Sequence, residues 1–410
     1  MRINRASCLI IVVVMLFATN CMSDNQSLDG IPTINVRKRY PIKEILITDI
    51  AEVLFVHLCT EQNDFLFRGG ISYITENTIV VVDKSSGSIL FFSKDGSPKS
   101  RFNRIGQGPE EYVNTLSKLI VFDEARDEVF IHSPHSFFST SGNSIMVFSS
   151  SGEFKRRIML PGGAVFPMIN FCDQSLFVYD MLIQRNKAVE GQDFVPPPID
   201  SSIFRISKKD GAVLEHVAFP SNSVNLTDLG DGQKILNGFH RIMNSTNGLI
   251  ISNPEADTIF LLCKNRVITP IFAKAPSIHD VQPFTVWSSF VDTKRFQFLS
   301  VHTLIGFDEI LRIPSAERYS RLNRHFVYDK YTSKIFHPRL LLPDFSGKEI
   351  VINASRTFLI GKGKVAHFEL DLIEMKQAYR DNKLSGRLKE LVSTLDEYED
   401  NNVFMLVYFR

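Results

Sequence analysis

Two short glycine runs are the residues whose spacing could support phosphate chemistry. Residues 106–109 (GQGP) could offer backbone N–H groups to an anion, but a P-loop requires Lys-Ser/Thr after its glycines and a helix N-terminus behind them. Neither feature follows. In residues 361–364 (GKGK), Phe358 occupies the position of the first P-loop glycine. The sequence therefore predicts no phosphate-binding site, and the two runs are interpreted as a corner between repeats and a hairpin turn.

Histidines and carboxylates are the next candidates, for metal binding or acid–base chemistry. His132 and His135 are close together, but no third ligand follows at metal spacing, and Pro134 prevents a helix. Glu110 and Glu111 form a carboxylate pair, although the fold rather than the sequence spacing decides whether two carboxyl groups share a substrate. The chain has no HExxH, GxSxG, EF-hand or dinucleotide-binding motif. We therefore predict no catalytic, cofactor-binding or metal-binding residues.

Aromatic side chains could line a sugar-binding mouth, although core packing is the alternative in a chain with 34 phenylalanines. The candidates are Tyr73, Tyr112, Tyr319, Phe137 and Phe138. Two basic clusters, residues 37–39 and 155–157, lack interleaved aromatic residues and are interpreted as solvated faces. Because the net charge is only +1, no nucleic-acid partner is expected.

Residues 1–20 are predicted to be a signal peptide. Two arginines precede an apolar segment, residues 8–18 (CLIIVVVMLFA), which is too short to span a bilayer. Cys21 follows Ala-Thr-Asn and resembles the lipidated cysteine of a bacterial lipoprotein signal. The resemblance implies lipid attachment at Cys21, and an ordinary signal peptide or an uncleaved anchor is the alternative. Residues 21–36 are polar and are interpreted as a tether to a domain over residues 37–410.

Three cysteines remain after the tether, namely Cys59, Cys172 and Cys263. An odd number without CxxC spacing does not suggest a disulfide framework or a metal site. Each lies in an apolar run, so we predict that they are small buried hydrophobic residues.

A repeated strand pattern covers most of the remaining chain. Each copy has an apolar run, a polar turn, a second apolar run, a turn rich in Asp, Asn or Gly, and a third apolar run. The abundant phenylalanine and β-branched residues suit strands. The copies start at Ile79, Val129, Leu176, Leu249 and Phe326, about 50 to 75 residues apart, which is near the period of propeller blades once insertions are allowed.

An all-β propeller of four-stranded antiparallel blades is predicted from this pattern, because thin repeated sheets bury their faces by stacking around an axis. A β-sandwich is the alternative, but it would not explain the recurrent Asp/Asn-Gly turn. Residues 196–198 (PPP) cannot join a sheet and must loop out. Residues 371–400 have apolar side chains at helical spacing and are predicted to form a helical insertion. Residues 402–410 return to a strand, so the two ends of the chain are expected to complete one shared blade.

Residues 104–112 (RIGQGPEEY) resemble the G-x-GPGEY corner of the six-bladed β-propeller lipoproteins common in Bacteroidetes, which are related in architecture to NHL-type propellers. The corner residues are Gly106, Gly108, Pro109, Glu111 and Tyr112, and Glu110 stands where the family usually has glycine. The resemblance extends from about residue 37 to the C-terminus. It implies six blades and export, and it assigns no catalytic residue because most of the family lacks an assigned activity.

The function expected from these features is a lipid-anchored binding or scaffold module of the cell envelope, at the outer membrane, whose ligand is a protein or a glycan. The alternative is a glycan-active enzyme, a lyase or hydrolase, with its site at the mouth of the propeller channel. A structural partner of another envelope protein is a third reading. A channel lined by paired carboxylates or by a His-Tyr-Arg group would favour the enzyme.

Overall fold

The computed structural model describes residues 30–410 apart from several stretches. The stretches within this range that are not described are 61–63, 114–119, 134–143, 161–168, 173, 180–198, 221–225, 229–233, 237–240, 246, 253–255, 278–279, 281–282, 284, 304, 306, 353–356 and 361–362.

Three strands precede the first blade: β1 (Thr33–Asn35), β2 (Ile42–Leu46) and β3 (Ala51–His57). A single helical turn, α1 (Ile47–Ile50), joins β2 to β3.

Six antiparallel sheets follow one another around a ring, and the first strand of each lies innermost, where these strands contact one another. Blade 1 contains β4 (Gly69–Ile74), β5 (Thr78–Asp83), β6 (Ile89–Ser93) and β7 (Pro98–Phe102). Blade 2 contains β8 (Ile120–Asp123), β9 (Glu128–Ser133), β10 (Ser144–Phe148) and β11 (Phe154–Met159), with a 3-10 turn at Glu124–Arg126. Blade 3 contains β12 (Ile169–Cys172), β13 (Ser175–Tyr179), β14 (Ile199–Ser207) and β15 (Val213–Pro220). A small hairpin of β16 (Leu226–Asp228) and β17 (Lys234–Leu236) precedes the next blade.

Blade 4 contains β18 (Arg241–Ser245), β19 (Gly248–Ser252), β20 (Thr258–Cys263) and β21 (Ile268–Ala275). Blade 5 contains β22 (Thr285–Asp292), β23 (Phe296–Thr303), β24 (Asn323–Asp329) and β25 (Lys334–Leu341), and β26 (Glu349–Ile350) pairs with β25. Blade 6 combines β27 (Thr357–Ile360), β28 (Gly363–Leu370) and β29 (Val403–Phe409) with β3 from the other end of the chain. The predicted six-bladed β-propeller of mostly four-stranded antiparallel blades is confirmed.

The ring is closed by the pairing of β3 with β29, which runs antiparallel from Ala51–Phe409 to His57–Val403. The prediction that both ends of the chain complete one blade is therefore confirmed. This pairing gives the C-terminal strand a partner on each side, so β29 has no open edge.

β1, β2 and β3 together form a strap along the rims of three consecutive blades. β1 pairs in parallel with β21 of blade 4, β2 pairs in parallel with β25 of blade 5, and β3 completes blade 6. Ile34 and Val36 are fully buried in the layer that β1 completes. The predicted tether, residues 21–36, therefore extends too far, because its last residues belong to the folded ring.

Apolar layers between neighbouring blades hold the ring together. In β6, Phe92 packs with Phe404 on the side of blade 6, while Phe91 packs with Phe122 on the side of blade 2. Successive side chains of a strand point to opposite faces, so a central strand with blades on both sides needs apolar residues at every position. This requirement explains the unbroken apolar runs and the high phenylalanine content.

In blades 1 to 3, a recurrent glycine turn packs against the preceding blade. Gly96, between β6 and β7, has a φ of +92°, and a Cβ atom there would overlap the backbone carbonyl of His57 at the end of β3. Gly152 in blade 2 packs in the same way on Phe102 of blade 1, and Gly211 in blade 3 packs on Ile158 of blade 2. The turn therefore recurs because the third turn of a blade lies directly against the last strand of its neighbour.

The repeat assignment is wrong in blade 5. Ile79, Val129, Leu176 and Leu249 all lie in second strands, whereas Phe326 lies in a third strand, and the second strand of that blade is β23.

Within the part of the chain that the structure describes, four helices longer than α1 lie outside the sheets. Their bounds are α2 (Phe307–Arg312), α3 (Ser315–Leu322), α4 (Leu372–Arg380) and α5 (Gly386–Thr394). α4 and α5 form the predicted insertion, between the second and third strands of blade 6. Their apolar side chains join the core next to blade 5, and Met375 and Leu388 are fully buried there. α2 and α3 were not predicted. Among the described residues, no helix is long and apolar enough to cross a membrane.

Two of the three cysteines can be located. Cys59 and Cys263 form no disulfide and are half-buried, so the prediction that they are small buried hydrophobic residues rather than disulfide partners is only partly right. The side chain of Cys172, and residues 196–198, lie outside the described part of the chain.

Candidate functional site

Polar side chains gather at one end of the ring axis, where the first strand of each blade turns into the second. We call this set the axial cluster. Its members, one from each blade, are Tyr73, Asp123, Asn170, Asn244, Asp292 and Lys364. Five lie on innermost strands, and Lys364 lies at the start of β28, which begins at the same end. Because the six first strands run in the same direction, their ends meet at one mouth.

On one side of the cluster, Tyr73 bridges blades that are not neighbours. Its hydroxyl is hydrogen-bonded to the Asn170 side chain, so this bond joins blade 1 to blade 3. Asn244 Nδ2 donates to the Asn170 carbonyl oxygen at 3.2 Å. Burial, together with the nearby Asp123 carboxylate, raises the pKa of Tyr73 above its ordinary value. Tyr73 therefore remains a neutral phenol at physiological pH.

Asp123 is held in a buried ion pair. Lys208, from the turn between β14 and β15, donates through Nζ to Asp123 Oδ2 at 2.5 Å, and the two side chains are only 5% and 8% exposed. Arg126 Nη1 contacts the same oxygen at 3.1 Å. Two cations thus surround one carboxylate, and the contact also joins blade 3 to blade 2.

Asp292 occupies the corresponding position on blade 5. Its Oδ1 contacts Lys330 Nζ, and its Oδ2 accepts a hydrogen bond from Ser245 of blade 4 at 3.0 Å. Lys364 of blade 6 is 3% exposed, and burial lowers its pKa to about 8, although the charge of Asp292 opposes this shift. Asp292 is therefore also near two lysines.

Beside Asp292, an exposed tyrosine forms a platform at the same end of blade 5. Tyr331 is 63% exposed and lies in the turn between β24 and β25. The Arg295 guanidinium lies 5.7 Å from the Tyr331 ring centre and 4.8 Å from that of Phe296. Arg295 Nη2 also pairs with Asp329 Oδ2 at 3.0 Å. These contacts hold the arginine against the aromatic ring.

Both aspartates of the cluster are paired with lysines, so their carboxylate oxygens are already engaged by protein groups. Of the six members, Lys364 has the chemistry best suited to catalysis, because a buried lysine with a lowered pKa can act as a base. Among the described residues, no group of three or more His, Cys, Asp or Glu side chains could hold a metal ion.

The corner residues lie elsewhere, between β7 and β8 at the opposite end of the ring. Gly106 N–H donates to the Tyr112 carbonyl at 3.1 Å, and Gly108 N–H donates to Glu111 Oε2 at 2.7 Å. Arg157 of blade 2 donates to the Pro109 carbonyl at 2.7 Å.

Tyr112 is fully buried beneath this corner. Its hydroxyl accepts from Arg104 N–H and donates to the Gly87 carbonyl, at 3.2 Å in each case. The polar groups of the corner thus bond to one another and to adjoining turns.

The aromatic candidates are not brought together. Tyr73 belongs to the axial cluster and Tyr112 is buried at the corner. Tyr319, at the end opposite the axial cluster, is 45% exposed, and its hydroxyl is 3.0 Å from His325 Nε2. Phe137, Phe138 and His135 lie outside the described residues.

Three other predicted features have definite positions. Ile360 pairs with Gly363 and closes the expected hairpin between β27 and β28, although residues 361–362 are not described. Residues 37–39 are exposed as expected. The second basic cluster is not simply a solvated face, because Arg156 forms a paired contact with Glu128 at 2.6 and 2.8 Å.

The ring of six antiparallel blades makes the molecule a six-bladed β-propeller. Residues 23–136 match the DUF5128 family model, described as a 6-bladed beta-propeller. Together with the fold, this match confirms the family resemblance seen at residues 104–112.

Solved structures of similar fold come from the genus Bacteroides and from other organisms. One is a Bacteroides fragilis protein whose name proposes that it is exported. It is 14% identical, with 93% of this chain and 100% of that chain covered and a TM-score of 0.58. A member of the DUF4221 family from Bacteroides vulgatus is 9% identical, covers 88% and 97%, and has a TM-score of 0.45. Virginiamycin B lyase from Staphylococcus aureus is 13% identical, covers 78% and 81%, and has a TM-score of 0.37. No curated protein matches the chain.

Proposed function

We propose that this propeller is a lipid-anchored binding module of the cell envelope, attached at the outer membrane, that holds a protein or glycan ligand at the axial cluster. The observation that carries the proposal is the composition of that cluster, in which every blade supplies one polar residue and both aspartates are held by cations. Such a rigid polar mouth can offer hydrogen bonds and charge to a ligand.

The cellular address rests on the N-terminal sequence. The apolar segment of residues 8–18 and the following Cys21 support export and lipid attachment. The chain is similar in fold to a Bacteroides fragilis protein whose name proposes export, which agrees with this address. Several acyl chains on one cysteine would keep the protein at a membrane, since each buried CH₂ contributes about 0.8 kcal/mol.

Replacing Cys21 with alanine is expected to abolish incorporation of a labelled fatty acid and to release the protein into the soluble fraction. The measurement is metabolic labelling followed by membrane fractionation. Cys59→Ala is the matched control, because it removes a cysteine that lies within the folded domain. Equal labelling of the wild-type and Cys21→Ala chains would refute lipid attachment at this residue.

The binding site itself is tested with Lys364→Met, which removes the buried charge while keeping a side chain of similar length. Asp292 retains Lys330 in this variant, so the fold is expected to persist. We expect affinity recovery from envelope extracts to lose the ligand that the wild-type protein retains. Arg339→Gln, which removes an exposed rim charge paired with Glu44, should retain it. Retention of the same ligand by Lys364→Met would place the binding surface elsewhere.

A glycan-active enzyme is the second candidate, and the lowered pKa of Lys364 is the observation that favours it. An elimination reaction needs a base that is partly neutral near pH 7. Lyase activity would release unsaturated sugars, detected by ultraviolet absorbance, and hydrolase activity would release new reducing ends. Loss of either product in Lys364→Met, with ligand binding intact, would favour the enzyme over the binding module.

A further inference from the structure

We infer that the ligand at the axial end of blade 5 is an acidic saccharide, that is, a chain of sugar rings that bear carboxylates. This inference rests on the proposed function and names its ligand class. The juxtaposition that carries it is an exposed aromatic platform, Tyr331, directly beside a group in which cations outnumber anions.

The aromatic part of the site is accessible, and a hydrogen bond holds the turn that carries it. Tyr331 is 63% exposed, and its backbone N–H donates to Asp329 Oδ1 at 3.0 Å, which fixes the turn that carries it. Arg295 lies 5.7 Å from the ring centre and is itself held by Asp329. A tyrosine ring held in this way offers a flat apolar face with little conformational entropy to lose on binding. The C–H face of a pyranose ring is the complementary surface.

The charged part of the site has a surplus of cations. Arg295, Lys330 and Lys364 are opposed by two aspartates, Asp292 and Asp329. Lys294, the neighbour of Arg295, is also exposed and positively charged. Arg295 uses Nε and Nη2 for Asp329, and within the described residues its Nη1 makes no hydrogen bond. An anion next to Tyr331 would therefore meet a free guanidinium donor as well as the surplus charge.

The two parts together favour a saccharide over other anions. Nucleic acid would require a longer basic stripe, whereas the whole chain has a net charge of only +1. An acidic peptide would use the cations but has no general need for the flat aromatic face. A carboxylated sugar uses both, because it presents an apolar ring face and an anion on the same unit.

The test uses a galacturonic acid hexamer and its methyl ester, in which each carboxylate is replaced by a neutral ester, with residues 21–410 of the chain in a calorimetric binding assay. We expect the methyl ester to bind at least about tenfold more weakly than the acid, because several ion pairs are lost. Tyr331→Ala should weaken binding of the acid about fivefold, since the aromatic face that packs on the sugar ring is lost. Tyr331→Phe keeps the aromatic ring and should bind the acid as tightly as the wild-type chain does.

Tyr398 provides the matched control. It is 81% exposed and follows α5, in the connection between second and third strands, so it lies at the opposite end of the ring. Tyr398→Ala should bind the acid as the wild-type chain does. Equal effects of the two tyrosine substitutions, or equal affinity for the acid and the ester, would overturn the inference. So would tighter binding of a polyglutamate peptide.

The failure of this inference and the failure of the proposed function have different signatures. If neither saccharide binds but a ligand sensitive to Lys364→Met is still recovered from envelope extracts, the acidic-saccharide assignment is wrong and the binding module stands. If no such ligand is recovered either, both proposals fall.

Discussion

Replacing Gly96 with alanine should be among the most damaging single changes in this protein, although it adds only one methyl group. The new Cβ would overlap the backbone carbonyl of His57, and a backbone atom in a paired strand cannot move aside as a flexible side chain can. The φ of +92° adds strain for any residue with a Cβ. The affected contact lies where β3 leaves the shared blade, and Cys59 N–H also donates to the Gly96 carbonyl at 3.0 Å. We expect a loss of more than about 4 kcal/mol and a fall in melting temperature of roughly 5 °C or more.

The variant Gly347→Ala distinguishes the two destabilising effects expected at Gly96, namely steric overlap and backbone strain. Gly347 also has a positive φ, +76°, but nothing lies within 4 Å of an added Cβ. Its substitution should cost only the left-handed conformation, about 1 to 2 kcal/mol. Thermal unfolding followed by circular dichroism compares the two variants. Equal losses would show that Gly96 serves only as a turn residue and does not hold the closing strand.

Acidification from pH 7 to pH 4 should destabilise the ring, with His132 as a principal cause. His132 is 1% exposed among the apolar residues between blades 2 and 3, and within the described residues neither of its ring nitrogens has a hydrogen-bond partner. Burial lowers its pKa to about 4, whereas the unfolded chain has the ordinary value of 6.5. Between these values the unfolded state binds more protons, so stability falls as the pH falls. The histidine contributes full stability above about pH 6.5 and loses about 3 kcal/mol of it by pH 4.

His132→Leu should remove this part of the pH dependence. At pH 7 its stability should equal or exceed that of the wild type, because two unsatisfied polar atoms are replaced by an apolar side chain. At pH 4 it should be the more stable chain by about 3 kcal/mol, as measured by urea unfolding at both pH values. His325, whose pKa burial also lowers to about 4, remains in both proteins and leaves a common residual slope. Parallel stability profiles of the two proteins would contradict the assignment.

The blade architecture could be predicted because each blade repeats a local constraint. The turn glycines at 96, 152 and 211 recur for the same reason, the close approach of the neighbouring blade, so they mark the repeat in the sequence. The signal weakens where other residues take the position. In blade 4 the corresponding turn has Arg266 at a φ of +69°, and in blade 5 it has Ser333 at +54°. The repeat assignment shifted by one strand in blade 5, where helices α2 and α3 also lengthen the blade.

The axial cluster could not be predicted from the sequence, because its members are related by the ring and not by spacing. Asp123 and Lys208 are 85 residues apart, yet they form the most buried of the charged pairs described above. Tyr331 was equally hidden, since a single aromatic residue in a polar turn has no periodic signature. Lys364 was noticed only as part of a hairpin, and its burial depends on packing between blades 5 and 6.

The strap has a consequence for the order in which the molecule can assemble. β3 emerges early in synthesis, but its partner β29 is about 350 residues further along the chain, so this contact raises the contact order. Until β29 is made, β3 has no strand to pair with. Its exposed apolar residues are then open to aggregation or proteolysis. Nascent chains are thus expected to reach a native state only after release from the ribosome, and truncations near the C-terminus should be degraded rather than accumulate as shorter rings.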